Sequence, residues 1–314
     1  LGATQTAEVE PVDLLVAGVG FVGGYVMTVA EQSGLRVVGV DNGPHSQSAS
    51  ALGPMALGGI LACDLRDRRS TAQLFSRLQP RNLVITARLG EGPDCSALED
   101  LVATAAQAGV ATVVHISSLA VYGSANDVSG LSEETAPINP STYGSEKLAE
   151  EAAITASSAM NGVRPLILRS TGLFGRLPAP RSSARSAAAI DRLIRQYLRR
   201  DRLVLTIEDA ADQYLYAREL AVVVLEALRT PPQFTVVNVG PGQLLSPLDV
   251  REHLQATFDA PVDLELVPVV GRSIGLLSVS RLDGWLPERA ASRAAFTEGL
   301  RAALLDFGVE GLDG

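Results

Sequence analysis

This chain is poor in aromatic residues, cysteine, histidine and net positive charge, and each shortage excludes something. Cys63 and Cys95 stand apart with no Cys-x-x-Cys, and His45, His115 and His253 are too few to join them in a metal site. Ordinary packing is expected of both thiols, and no metal. No apolar run is long enough to span a bilayer, and no charged start leads into an apolar core of signal-peptide type. The net charge of −9 argues against general affinity for nucleic acid or an anionic membrane. These absences predict a soluble, cytoplasmic protein whose partner is a small molecule. What the chain does have is aliphatic bulk: 46% of its residues are hydrophobic and only 4% aromatic, with 29 glycines. That composition suits a buried parallel sheet under Ala-rich helices.

Residues 1–10 are polar and read as a disordered tail. From residue 11 onward short apolar runs alternate with helical stretches. Strands are expected over 12–16, 36–40, 83–86, 110–116 and 163–169, and helices from about 22 and over 68–78, 96–108 and 141–160. Such alternation pairs strands in parallel through right-handed crossovers, so the fold class is α/β with a doubly wound parallel sheet. Past Ser170 the rhythm loosens. Residues 176–186, rich in Pro, Arg and Ser, read as a loop leaving the first domain, and Ile190, Leu193, Ile194, Tyr197 and Leu198 then mark one side of an amphipathic helix. Short strands near 203–207, 234–239 and 262–267 alternate with helices near 218–228, 247–258 and 291–305. The expected division is a first domain over 11–170 and a smaller α/β unit over 171–314, with about 210–240 returning to the first sheet.

Gly18-Val19-Gly20-Phe21-Val22-Gly23 follows the first strand and opens a helix. Gly18 permits a tight turn, Gly20 lets backbone N–H groups approach a pyrophosphate, and Gly23 lets the helix pack close to the sheet. The second strand ends in Asp41-Asn42, with Asp41 23 residues after Gly18. A carboxylate there accepts hydrogen bonds from a ribose diol and repels a 2′-phosphate, which predicts NAD over NADP. Asp64 and Leu65, after a third strand, are candidates near the adenine, a helix N-cap being the other role open to Asp64. Ala87 and Arg88 follow the fourth strand, at the sheet edge where ligands bind; Arg88 is a candidate for substrate or a solvated surface residue.

Tyr143 and Lys147 lie four residues apart in a predicted helix and so share a face. A free phenol has a pKa of about 10, and acid/base work near neutrality needs adjacent positive charge of the kind a lysine ammonium or an oxidised nicotinamide supplies. Ser118, 25 residues before Tyr143, ends the fifth strand at the same edge and can hydrogen-bond a reacting oxygen. Ser117 and Ser124 compete for that role, and Ser117 is also a candidate coenzyme contact with Phe21, Val22, Asn42, Tyr143 and Lys147. His115, in an apolar strand, reads as a satisfied core histidine.

Taken together, the glycine turn, Ser117-Ser118-Leu119-Ala120-Val121-Tyr122-Gly123, Asn139-Pro140-Ser141-Thr142-Tyr143-Gly144-Ser145-Glu146-Lys147, Leu168-Arg169 with Phe174-Gly175, Asn238-Val239-Gly240, and Ser280-Arg281-Leu282 with Gly284-Trp285 resemble the extended short-chain dehydrogenase/reductases, the NAD-dependent epimerase/dehydratase family. The resemblance implies a Rossmann-type domain with a smaller C-terminal substrate domain, a Ser118/Tyr143/Lys147 triad serving hydride transfer, and a homodimer formed through a four-helix bundle that includes helix 141–160. The chain also departs from the family pattern. One residue fewer separates the first two glycines, and Leu119-Ala120 stands where 4,6-dehydratases carry an Asp-Glu pair, which ranks elimination of water low. Gly172 and Asp212 replace an asparagine and an arginine that the resemblance places on a nucleotide-sugar phosphate.

Residues 176–202 hold eight arginines against Asp191 and Asp201. Arg192, Arg195 and Arg199 share a helical face that solvation explains, whereas Arg181 and Arg185, in the loop over the cleft, are candidates for an anionic group, with Asp212 and Tyr216 lining the same pocket. The expected function is NAD-dependent chemistry at a hydroxyl or keto carbon of a sugar-like polar substrate, epimerisation by transient oxidation foremost. The alternatives are a net dehydrogenase or ketoreductase on a non-nucleotide substrate, and a non-catalytic NAD-binding regulator.

Overall fold

A computed structural model describes residues 11–42, 59–90, 92, 94–124, 130–177, 186–269, 275–291 and 296–308, the side chains of 186, 187, 290 and 291 excepted. The first half runs β1 (Leu14–Ala17), α1 (Phe21–Gln32), β2 (Val37–Asp41), β3 (Gly59–Ala62), α2 (Arg68–Leu78), β4 (Asn82–Ile85), α3 (Ser96–Gln107), β5 (Thr112–Ser118), a single 3-10 turn (Leu119–Tyr122), α4 (Thr142–Asn161) and β6 (Arg164–Ser170). It continues through β7 (Gly172–Phe174), α5 (Ser186–Arg199), β8 (Val204–Glu208), β9 (Tyr214–Tyr216), α6 (Ala217–Arg229), β10 (Val236–Val239), α7 (Pro247–Phe258), β11 (Asp263–Val267), α8 (Ser280–Trp285), α9 (Pro287–Ala291) and α10 (Phe296–Asp306). The expected tail, residues 1–10, lies outside the described residues.

Among these elements, seven strands form one parallel sheet in the order β10-β6-β5-β4-β1-β2-β3. The order reverses between β1 and β4, which opens a crevice at their carboxyl ends. Alternate side chains of each central strand feed separate cores: Leu14, Val16, Val84, Val114 and Leu168 pack with α1, α5 and α6, whereas Leu15, Ala17, Leu83, Ile85 and Val113 pack with α2 and α3. Burial of a Leu or Val side chain stabilises the fold by about 1.5–3 kcal/mol, so register is strongly fixed here.

Beyond β6 two small parallel pairs, β7 with β9 and β8 with β11, build a second layer. The three-residue strands β7 and β9 have no period for a sequence reading to detect, and the described part of the final helical region comprises α9 and α10. Helix starts follow local chemistry. Ser141 caps α4 by accepting the Gly144 N–H, Asp67 caps α2, and Ser246 with Asp249 closes a capping box on α7. No described helix is long and apolar enough to cross a membrane.

Candidate active site

The glycine turn shows why each of its residues is small. Gly18 has φ +96° and lies against the Ala87 backbone, where a Cβ would meet the Ala87 nitrogen at 2.6 Å; at Gly23 a Cβ would stand 1.9 Å from the Gly18 carbonyl. Gly20 is the opposite case, with no atom within 4 Å of where a side chain would begin. That space fronts the start of α1, which has no side-chain cap and no acidic residue in its first turn. Unsatisfied N–H groups, the helix dipole and an open approach together fit a pyrophosphate. Asp41 borders the same turn, its Oδ2 accepting the Val19 N–H at 2.8 Å, with Asn42 exposed beside it. Phe21 and Val22 are half-buried in the first turn of α1. These residues fit a dinucleotide with a free ribose diol. Thr86 ties the fourth strand to the turn by donating to the Gly18 carbonyl at 2.6 Å.

Across the crevice, β5 ends at Ser118, whose Oγ accepts the Ala120 N–H at 3.2 Å. Gly144 lets α4 press on the turn that follows, since a Cβ there would lie 2.1 Å from the Ala120 carbonyl. The N-terminal end of α4 is thereby brought to the end of β5. Tyr143 is 39% exposed on that end. Lys147, one turn on, is buried and donates from Nζ to the Ile116 carbonyl at 3.3 Å and to Glu150 Oε2 at 2.8 Å. Arg88 reaches in from β4, its guanidinium 5.8 Å from the Tyr143 ring centroid while it pairs with Glu146.

Several expectations need correction. Ser117 is buried and donates to Glu151 Oε1 at 2.5 Å, because strand alternation turns it to the α4 face; its hydroxyl is spent on the scaffold. Asp64 is not the N-cap, which is Asp67; it forms a two-pronged pair with Arg66 and its side chain stays 44% exposed, while Leu65 is buried in the core. Tyr216 is no pocket residue either. It sits buried among Tyr25 and Phe174 and donates to Asp306 Oδ2 at 2.5 Å, an oxygen that also takes the Tyr25 hydroxyl at 2.6 Å. Burial and the adjacent carboxylate push both phenols up, and burial also raises Asp306. Asp212 is 4% exposed, with Oδ1 accepting the Gln213 N–H.

The basic segment is divided between bonds within the fold and solvent: Arg199, Arg200 and Arg202 are exposed, whereas Arg176, Arg192 and Arg195 are engaged. Arg192 donates to the Thr206 carbonyl, Arg195 pairs with buried Asp191, and Arg176 donates to the Asp306 carbonyl; Arg199 alone of the three helical arginines is exposed. Arg181 and Arg185 lie outside the described residues. His115 is fully buried but not satisfied: Nε2 lies 3.1 Å from Glu150 Oε2 without hydrogen-bond alignment, and Nδ1 has no partner. Burial holds its pKa below the ordinary histidine value.

Sequence reading missed a polar layer under the site. Ser117, Arg169 and Asn238 stand in register on β5, β6 and β10. Arg169 binds Glu151 through Nε and Nη2, at 3.0 and 2.7 Å, and donates to the Tyr122 hydroxyl, which donates to Asn238 Oδ1. The available signal was Glu150 and Glu151, three and four residues beyond Lys147, on a helix whose lysine had to be buried.

A sheet that reverses at an open glycine turn, with a tyrosine and a lysine one helical turn apart at the opposite lip, defines a dinucleotide-dependent enzyme. The chain belongs to the NAD dependent epimerase/dehydratase family, which it matches over residues 14–240, and it is accordingly an enzyme of the extended short-chain dehydrogenase/reductase type that uses NAD. It is similar to UDP-glucose 4-epimerase of Azospirillum brasilense, 28% identical over 197 residues that cover 59% of this chain and 56% of that protein. The match thus spans just over half the length of that relative. Two solved structures share the fold: UDP-glucose 4-epimerase of Thermus thermophilus in complex with NAD (20% identity, TM-score 0.72, covering 95% of this chain and 99% of that one), and UDP-glucuronic acid 4-epimerase of Bacillus cereus in complex with UDP-glucuronic acid and NAD (20%, 0.74, covering 94% and 98%).

Proposed function

We propose that this enzyme epimerises a hydroxyl-bearing carbon of a sugar-like polar substrate by transient oxidation. The observation that carries the reading is the exposed Tyr143 at the lip of the crevice, one turn from a lysine anchored to the end of β5. When bound, NAD supplies a hydride acceptor that can return what it takes. Tyr143 Oη removes the hydroxyl proton and later gives it back; Ser118 Oγ orients the reacting oxygen; Lys147 has one N–H left, beyond Glu150 and Ile116, for a ribose hydroxyl. Leu119 and Ala120 offer no carboxylic acid for eliminating water at this lip.

The similarity to UDP-glucose 4-epimerase makes UDP-sugars the first substrates to try. A second reading, net oxidation or reduction of a non-nucleotide substrate, is favoured by Asp212, a buried carboxylate where the family pattern carries a phosphate-binding arginine. One experiment separates them. The purified protein is denatured and assayed for retained NAD, then incubated with UDP-glucose and UDP-glucuronic acid while C4 stereochemistry is followed by NMR and NADH by absorbance. Epimer without net NADH supports the first reading; no turnover of either UDP-sugar, with stoichiometric NADH from a parallel incubation with free sugars, replaces it by the second.

A further inference from the structure

The group in closest contact with Lys147 is a carboxylate of the protein itself. Glu150 Oε2 lies 2.8 Å from Lys147 Nζ and 3.1 Å from His115 Nε2, and the three side chains are 12%, 7% and 1% exposed. Resting on the assignment of Tyr143 and Lys147 above, we infer that Glu150 is a positioning residue, a resident counter-ion that holds the Lys147 ammonium at the end of β5 and sets the pH at which Tyr143 ionises.

No proton relay continues from Glu150 through His115, because that ring is buried and Nδ1 has no partner, burial holding its pKa below the ordinary histidine value. Among the described residues Lys147 is the ammonium paired with Glu150. From α4, Glu146 is engaged by Arg88 and Glu151 by Arg169; Asp94 and Cys95 share the cleft from the α3 side, and His115 comes from β5. Although burial alone would raise the Glu150 carboxyl, the His115 and Lys147 contacts outweigh it and hold the group at about 2, so it is ionised throughout the working range. A narrow cleft lined by Ala87, Gly90, Cys95, Glu146 and Glu150 runs from this cluster to the end of β4.

A fixed negative charge two helical turns from Tyr143 opposes phenolate formation, while Lys147 and Arg88 favour it. Seven residues of helix separate Glu150 from Tyr143 by about 10 Å. A unit charge at that distance in a medium of effective dielectric about 20 is worth about one pH unit.

The test needs no substrate. The NAD-loaded parent and Glu150→Gln proteins are titrated by phenolate absorbance, each against its Tyr143→Phe counterpart, so that the difference isolates one of the chain's six tyrosines. Tyr25, Tyr122 and Tyr216 are pushed up by burial, well clear of the window. The Tyr143 step moves down by about one unit in Glu150→Gln, and Glu150→Asp, which returns the charge, moves it back towards the parent. A step that stays put in Glu150→Gln overturns the inference. A subtraction that reveals no Tyr143 step near neutrality overturns the assignment of Tyr143 instead. Should the Gln variant fail to fold, Glu150→Leu fills the space without a charge, and the same shift, or its absence, decides.

Discussion

Glu150 and Glu151 are consecutive on α4, about 100° apart around its axis, and the fold uses them in opposite ways. Glu151 faces inward and meets Arg169 through two guanidinium nitrogens and the Ser117 hydroxyl, so its contacts form a closed set of charge-assisted bonds. Glu150 faces the crevice side and meets a lysine with an N–H to spare and an imidazole that cannot complete its own bonding. The first arrangement resists change; the second leaves capacity to respond to a ligand. One helix thus carries scaffold and chemistry on adjacent stripes, and the choice is made by the strand facing each stripe.

Four measurements break or sharpen this contrast. The largest effect belongs to the chemical stripe: Tyr143→Phe lowers turnover about a thousandfold, about 4 kcal/mol, with NAD affinity nearly unchanged, and steady-state kinetics beside a coenzyme binding titration reads both quantities. Unaltered turnover there would falsify the acid/base role. On the scaffold stripe Glu151→Gln leaves the Arg169 charge buried and costs about 3 kcal/mol of stability in denaturant unfolding; a loss of activity at full stability would instead put Glu151 in the site.

Acid unfolding gives the third. Glu150 is depressed from 4.5 to about 2, so its contribution is full above about pH 4.5 and is lost as pH falls towards 2. The parent therefore loses on the order of 2 kcal/mol across that interval that Glu150→Gln does not, and parallel acid titrations of the two proteins would expose the idea as wrong if their curves coincide. Smallest is the coenzyme end. Asp41→Ala, which removes the carboxylate from the turn, reduces the preference for NAD over NADP about tenfold, as competitive binding of the two coenzymes measures; a parent that prefers NADP refutes the role given to Asp41.

The sheet was legible because its strands are near-continuous aliphatic runs and its glycine turn needs small residues at fixed spacing. Gly18 and Gly23 could be read from sequence because backbone lies where their side chains would be. Residues whose meaning depends on strand phase were not legible. Ser117 and Ser118 look interchangeable until alternation sends one to Glu151 and the other to the lip. The contacts of Tyr216 and Asp64 were not legible for a related reason: their partners, Asp306 and Arg66, are chosen by packing 90 residues away in one case and by a two-residue turn in the other. No periodicity encodes either choice.

Asp306 has a consequence of its own. By accepting both Tyr25 and Tyr216 it fastens the last described helix to the flank of α1, the helix whose uncapped start fits a pyrophosphate. Pulling α10 away would strand two buried hydroxyls without that acceptor, so this end of the fold acts as a clasp on α1. Strain applied at that end would be felt first as looser coenzyme retention, before any change at the reacting carbon.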